Sequence, residues 1–145
     1  SLEKEVRNYS KWKGSCISSL ETYVLEAFNV KKNDRVGYGG SLMPHDGRLY
    51  ILGIGYGDGL PTRLSGLSCK INELSYRVVG RVNMDMLQIL SEEVSSGSLN
   101  IGQPVKLWNS GSDDYLDICD QLKQIPYEIF CHLSPRVKRG YHKST

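Results

Sequence analysis

The sequence lacks the features that would indicate a membrane, secreted or metal-binding protein. No hydrophobic run approaches the ~20 residues that a membrane-spanning helix needs, and the first residues, Ser1–Glu5, show no signal-peptide pattern. The four cysteines form no CxxC pair and have no metal-ligand spacing with the three histidines; they are Cys16, Cys69, Cys119 and Cys131. We therefore expect a cytoplasmic protein with reduced, mostly buried thiols and no metal site.

An excess of charge of either sign is also missing. The formal net charge is +2, which gives no reason to expect a nucleic-acid or membrane-surface partner. The basic segment Arg136–Thr145 is predicted to be an exposed tail. Because aromatic residues do not alternate with its basic ones as base-stacking platforms, a nucleic-acid-binding barrel is the least favoured functional class. The length of 145 residues fits one domain with its own hydrophobic core.

Frequent turn signals separate short apolar runs along most of the chain. The run Leu49–Tyr56 predicts a strand covered on both faces, and the alternation of Leu67, Cys69 and Ile71 predicts a half-exposed strand. Leu20–Val30 fits a strand or a helical face, and we favour the strand. Further short strands are predicted at Arg77–Val82, Met86–Leu90 and Val105–Trp108. This pattern favours a mainly β fold, a barrel or sandwich of short strands.

Two short helices are predicted near the C-terminal end. The first has three apolar residues at helical spacing: Leu116, Cys119 and Leu122. Ser112–Asp114 offers it an N-cap and an acidic first turn. Pro126 can open the second helix at its first position, and Pro135 would end it. One face of the second helix would be lined by Tyr127, Phe130 and Leu133.

Four segments could carry chemistry: VGYGG (36–40), IGYGDG (54–59), GRVNMDM (80–86), and YE (127–128) followed by LSPRV (133–137). Taken alone, each has a purely structural interpretation. Tyr38 could pack on a strand end, and Asp58-Gly59 could form a hairpin turn; the glycine spacing around it does not fit a nucleotide-binding fingerprint. GRVNMDM could be a core strand with methionines as packing residues and an exposed ion pair between Arg81 and Asp85.

In their order along the chain, VGYGG, IGYGDG, GRVNMDM, LW and PYEIFCHLSPRV resemble the C-terminal domain of the alanine racemase family. The resemblance runs from about Ser15 to about Tyr141. It implies one domain over 1–145 without the N-terminal α/β barrel, which in this family binds pyridoxal 5'-phosphate through a lysine. It also implies a head-to-tail homodimer, in which this domain covers the barrel mouth of the partner subunit.

The activity that the resemblance implies is an isomerase that interconverts L- and D-alanine and supplies D-alanine for the cell wall. Inversion needs an acid/base group on each face of the substrate, because one group would usually return the proton to the side it left. Tyr38 would be the catalytic base for L-alanine, and the barrel lysine would serve the other face. A phenol is a weak base near neutral pH and needs nearby cations, which the family places on the barrel. The isolated chain is therefore expected to be inactive and to bind no cofactor.

Other roles carry over from the resemblance one residue at a time. Met84 matches the residue that meets the substrate carboxylate, and Asp85 follows it in the same motif. Tyr56 and Asp58 match residues that line the substrate entrance. Tyr127 matches a tyrosine near the cofactor phosphate, where a hydroxyl donor is a sensible contact.

Some positions depart from the family pattern. Asn83 stands where many relatives have cysteine, and in residues 60–63 (LPTR) an arginine is shifted by one position. These departures leave serine as an alternative substrate. None of the lysines lies in a recognisable cofactor-binding segment, so a non-catalytic, stand-alone β-domain acting as a binding module remains an alternative to an enzyme fragment.

Overall fold

The structure is a computed structural model that describes residues 15–91 and 98–141. Its strands are β1 (Leu20–Val30), β2 (Arg35–Val36), β3 (Ser41–Leu42), β4 (Gly47–Leu52), β5 (Ser68–Ile71), β6 (Leu74–Val78), β7 (Leu87–Ser91) and β8 (Pro104–Trp108). Its α-helices are α1 (Asp114–Leu122) and α2 (Pro126–His132), and single 3₁₀ turns cover Tyr56–Asp58 and Thr62–Leu64. The mainly β fold with two short C-terminal helices is confirmed.

Six strands form one antiparallel sheet in the order β5-β6-β7-β4-β1-β8. The sheet curls until its two edge strands, β5 and β8, approach each other, which makes a nearly closed barrel. The predicted strand β1 makes this closure possible, because it pairs with β8 through its first half and with β4 through its second half. The register shifts between Val24 and Glu26, and such an irregularity bends a strand. The remaining strands, β2 and β3, form a separate hairpin.

The core lies inside the barrel and beneath the two helices. In β5, Cys69 and Ile71 are buried and Lys70 is exposed, as the alternation predicted. At the end of β8, the Trp108 ring lies 4.9 Å from the Tyr115 ring of α1, and Phe130 of α2 stacks on Tyr115 at 4.5 Å between centroids. This aromatic cluster joins both helices to the barrel, because large rings bury much apolar surface.

Helix α1 begins and ends close to the predicted positions. Of the face predicted for α2, Phe130 stacks on Tyr115 and Leu133 packs against the core, but Tyr127 is 70% exposed, and the fully buried residue of α2 is Ile129. The reason is the way the short helix is anchored. The Tyr115 hydroxyl donates to the carbonyl of Pro126, and Phe130 contacts the cluster, so Tyr127 is left on the outer side.

The predicted strand Leu49–Tyr56 is too long, because β4 ends at Leu52. The chain then turns into the 3₁₀ segment at Tyr56, where the backbone of Asn83 approaches it. The core-strand interpretation of GRVNMDM is also wrong. Residues 79–86 form no strand, and Met84 and Met86 are 52% and 39% exposed. The predicted strand Arg77–Val82 is displaced towards the N-terminus, to β6.

The prediction that most thiols are buried holds only for Cys69 and Cys119; Cys131 is exposed. Residues 15–91 and 98–141 contain no group of three or more metal-ligating side chains. None of the helices in these ranges is long and apolar enough to span a membrane. The sequence interpretations of Ser1–Glu5 and of residues 142–145 of the predicted tail concern parts outside the described residues.

Candidate active site

The phenol of Tyr38 stands at the tip of the β2–β3 hairpin. The turn consists of residues 37–40, and Gly37, Gly39 and Gly40 adopt φ values of +67°, +100° and +62°. Glycine favours this left-handed region, in which other residues are strained. The Gly40 N–H donates to the Gly37 carbonyl at 3.2 Å and closes the turn. Tyr38 is 85% exposed, so the interpretation of a tyrosine packed on a strand end is wrong.

The hairpin rests on Gln88 of β7, which is buried. A Cβ built on Gly37 would lie 2.6 Å from the Gln88 Nε2 atom, so the side-chain amide lies directly against this glycine. A Cβ built on Gly80 would lie 3.1 Å from Gln88 Oε1 and 3.7 Å from Ser41 Oγ of β3. The hairpin that carries Tyr38 therefore borders the start of the GRVNMDM loop.

The 3₁₀ turn Tyr56–Asp58 packs against the other end of that loop through backbone hydrogen bonds. The Tyr56 N–H donates to the Asn83 carbonyl at 2.9 Å, and the Gly57 N–H donates to the Met84 carbonyl at 2.8 Å. The Tyr56 and Met84 side chains are about half exposed, at 50% and 52%. Two apolar side chains thus extend to solvent from neighbouring segments, as a surface that contacts a substrate requires.

Asp58 and Asp85 share one arginine. The Asp58 Oδ1 atom lies 3.4 Å from Arg136 Nε, and its Oδ2 atom accepts the Gly55 N–H at 2.9 Å. Arg136 Nη2 donates to Asp85 Oδ1 at 2.5 Å. The hydrogen bond to Asp85 and the charge of Asp58 raise the pKa of Arg136 above its usual value. The guanidinium is therefore a permanent positive charge between two carboxylates.

Arg136 is the residue of this site that the sequence interpretation missed. As part of the predicted basic tail it was expected to be exposed, and it is, but its guanidinium also pairs with two carboxylates. The predicted partner of Asp85 was Arg81, and the ion pair in the structure is with Arg136 instead. Asp85 and Arg136 are 51 residues apart, so only the LSPRV motif could have drawn attention to the arginine.

The structure brings four of the predicted site residues together: Tyr56, Asp58, Met84 and Asp85. The Tyr38 hairpin borders the same loop. Tyr127 lies at the N-terminal end of α2, and the C-terminal end of this helix reaches the turn. A Cβ built on Gly59 would lie 2.1 Å from the His132 carbonyl oxygen.

A family model described as the C-terminal domain of alanine racemase matches residues 17–141. The chain belongs to this family. The alanine racemase of Nitrosomonas eutropha is 32% identical over 123 residues, which are 83% of this chain and 33% of that protein. The solved alanine racemase of Bartonella henselae with covalently bound pyridoxal phosphate is 26% identical, with a TM-score of 0.76 over 86% of this chain and 34% of that one.

A histidine racemase from Leuconostoc mesenteroides has the same fold at this domain, with a TM-score of 0.71 and 28% identity over 83% of this chain and 33% of that one. The chain spans about a third of the length of the curated relatives it matches. The alanine racemase domain described here therefore corresponds to the C-terminal part of larger proteins.

Proposed function

We propose that this chain is the C-terminal β-domain of a pyridoxal-phosphate-dependent racemase, and that it supplies Tyr38 as an acid/base group to the barrel of a partner subunit. The observation that carries the proposal is the position of Tyr38. Its phenol is 85% exposed at the tip of a glycine-shaped hairpin that lies against Gln88. A hydroxyl held outside its own domain in this way is suited to act on a molecule bound elsewhere.

Tyr38 would remove or return the substrate α-proton on one face, because inversion needs a proton-transfer group on each side of the reacting carbon. Tyr56 and Met84 would contact the substrate as it passes between the two protein parts, and Asp58 and Asp85 would complete the entrance. The proton on the opposite face would be handled by a lysine outside this chain.

Pyridoxal phosphate, when bound, supplies the electron sink that lets the α-proton leave. The described residues fit one edge of a site for it. The exposed hydroxyl of Tyr127 can donate to a phosphate oxygen, but every lysine in residues 15–91 and 98–141 is exposed, so none lies in a cleft that could enclose the cofactor ring. We infer that Tyr127 contributes a contact and that the barrel supplies the rest.

We further propose that the enzyme is a head-to-tail homodimer in the cytoplasm. Its product, D-alanine, would be used for the cell wall. Alanine is the proposed substrate, because the similar curated proteins are alanine racemases. Serine remains an alternative because of Asn83 and the shifted Arg63. The similarity to a histidine racemase makes histidine the third amino acid to test.

The experiment mixes this chain with the separately produced barrel half of an alanine racemase and measures racemisation of alanine, serine and histidine. We expect alanine turnover only in the mixture, with no turnover by the chain alone. Tyr38→Phe should abolish it. Tyr141→Phe, which alters a tyrosine that is 90% exposed, is the matched control and should have no effect.

Racemisation by the 145-residue chain alone would contradict the proposed division of labour. Tight association with the barrel without racemisation of any of the three amino acids would favour the binding-module alternative.

A further inference from the structure

We propose that Arg136 is a positioning residue of the substrate entrance. Its guanidinium holds the turn Tyr56–Asp58 against the loop that carries Met84 and Asp85, and thereby sets the spacing between the exposed Tyr56 and Met84 side chains. The effect on catalysis rests on the proposed function. The structural effect does not depend on it and can be measured separately.

Three separate parts of the chain meet at this guanidinium. Asp58 comes from the 3₁₀ turn, Asp85 from the loop before β7, and Arg136 from the segment after α2. The two carboxylates contact different nitrogen atoms, Nε and Nη2. A planar guanidinium can pair with two carboxylates in this way because its donors point in fixed, different directions. A lysine ammonium is a compact charge without this geometry.

The guanidinium also lies close to the backbone of the turn. A Cβ built on Gly57 would be 2.4 Å from Arg136 Nη1 and 2.9 Å from the Met84 carbonyl oxygen. The missing side chain of Gly57 thus leaves room for the arginine on one side and the loop on the other. The Ser134 N–H donates to the Asp58 carbonyl at 3.0 Å and brings the arginine segment to the same place.

The contacts of Asp58 indicate that it acts through Arg136. Its side chain is only 14% exposed. One oxygen accepts the Gly55 N–H, and the other faces Arg136. Little of this carboxylate remains accessible to a substrate. We therefore infer that Asp58 stabilises the turn and the position of Arg136, and that Tyr56 and Met84 make the contacts with the substrate.

Loss of the guanidinium would leave two carboxylates without their shared cation. The two backbone hydrogen bonds between the turn and the loop would remain, but the two carboxylates would repel each other, so the spacing between the Tyr56 and Met84 side chains should become less defined. The Tyr38 hairpin rests on Gln88 and not on Arg136. Arg136 should therefore affect substrate binding more than the rate of proton transfer.

The methionine methyl groups report the structural effect, because the sequence has only three methionines. Met43 is buried and reports the fold, whereas Met84 and Met86 lie in the loop. In ¹³C-methyl spectra of the full chain, Arg136→Gln and Arg136→Lys should both shift the Met84 and Met86 signals and leave the Met43 signal in place. Arg77→Gln, an exposed arginine on β6, is the control with the same charge change and should shift none of them.

An unchanged Met84 signal in Arg136→Gln would overturn the proposal. If the spectrum of Arg136→Lys is the same as that of the wild type, a positive charge alone is enough to position the loop, and this result would overturn the bridging geometry. Asp85→Asn, a milder change at an exposed carboxylate, should also shift Met84, and its failure to do so would count against the proposal.

In the full-length enzyme, Arg136→Gln should raise KM for the amino acid about three- to tenfold while kcat changes less than about twofold. A fall in kcat with an unchanged KM would overturn the entrance role. If the enzyme instead retains its activity with Tyr38→Phe, the proposed function fails, while the methyl spectra still decide whether Arg136 positions the loop.

Discussion

The side-chain amide of Gln88 occupies the space in which a side chain on Gly37 would begin. Its Nε2 atom lies 2.6 Å, and its Oε1 atom 2.8 Å, from the position of a Cβ on that glycine. Gln88 is 7% exposed, and within the described residues its Oε1 atom has no hydrogen-bond partner. Packing between Gln88 and Gly37 therefore supports the hairpin that carries Tyr38.

Gly37→Ala should destabilise the hairpin for two separate reasons. Alanine at φ +67° is strained by about 1–2 kcal/mol, and its methyl group collides with a buried side chain, which adds about 1–3 kcal/mol. Denaturant unfolding of the chain measures the sum. In the double variant Gly37→Ala/Gln88→Ala, we expect the loss of stability that comes from the collision to disappear.

The matched control for this prediction is Gly40→Ala. Gly40 has nearly the same backbone conformation, φ +62°, but a Cβ there would only touch Arg35, at an ordinary 3.5 Å. It should show the backbone strain without the collision. Equal losses of stability in the two variants would mean that Gln88 does not support the turn.

Gly55→Ala should disrupt the contact between the turn and the loop. Its φ of −151° suits any residue, so the effect comes from contact alone. The new Cβ would lie 2.1 Å from the Asn83 carbonyl oxygen and 2.5 Å from that of Met84. We expect a loss of about 2–4 kcal/mol in the free energy of unfolding, because backbone rather than a movable side chain must shift.

Gly53→Ala, two residues earlier, should be tolerated, since its Cβ would meet only the flexible Leu25 side chain at 3.3 Å. The same unfolding experiment tests both variants. Equal losses in the free energy of unfolding of the two variants would show that the turn and the loop approach each other less closely than described.

Tyr76→Phe should stabilise the protein. Tyr76 is fully buried against Tyr50, and its hydroxyl has no hydrogen-bond partner among the described residues. Removing an unpaired buried hydroxyl while keeping the ring should raise the free energy of unfolding by about 1 kcal/mol at pH 7. A loss of similar size would show that the hydroxyl is hydrogen-bonded after all.

The same phenol predicts a dependence of stability on alkaline pH. Burial, and then the neighbouring Tyr50 and Cys69, raise the pKa of Tyr76 from 10.0 to about 12. Between these values the unfolded chain releases the proton and the folded chain keeps it. The Tyr76 contribution to stability is thus complete below pH 10 and falls by up to about 1.4 kcal/mol per pH unit towards pH 12. Over this range, the free energy of unfolding of Tyr76→Phe should fall less steeply than that of the wild type.

Local sequence patterns were sufficient for the elements whose signals are local. The alternation in β5 and the helical spacing in α1 predicted those elements because each residue's burial follows from its neighbours in sequence. The length of β4 could not be predicted in this way. Gly55 leaves the sheet because the backbone of Asn83 and Met84 approaches it, and this approach leaves no periodic signal.

The candidate site followed the same division. Tyr38 and the entrance residues were predicted from the resemblance of their motifs to those of a known family, and their roles stay predictions. Arg136 was assigned to a solvent-exposed tail, because its partners, Asp58 and Asp85, are distant in the sequence. A charge run near a chain end is usually solvated, and Arg136 is exposed as well, but only the three-dimensional structure could identify its two carboxylate partners.

The most direct test of the account is deuterium exchange at the α-carbon in the proposed full-length racemase that contains this domain. L-Alanine and D-alanine are incubated separately in D₂O with the wild type and with Tyr38→Phe. We predict that the variant loses exchange from L-alanine by about 10²–10⁴-fold, while exchange from D-alanine continues through the other face. An equal loss from both enantiomers, or no loss from either, would contradict the assignment of Tyr38 to one face of the substrate.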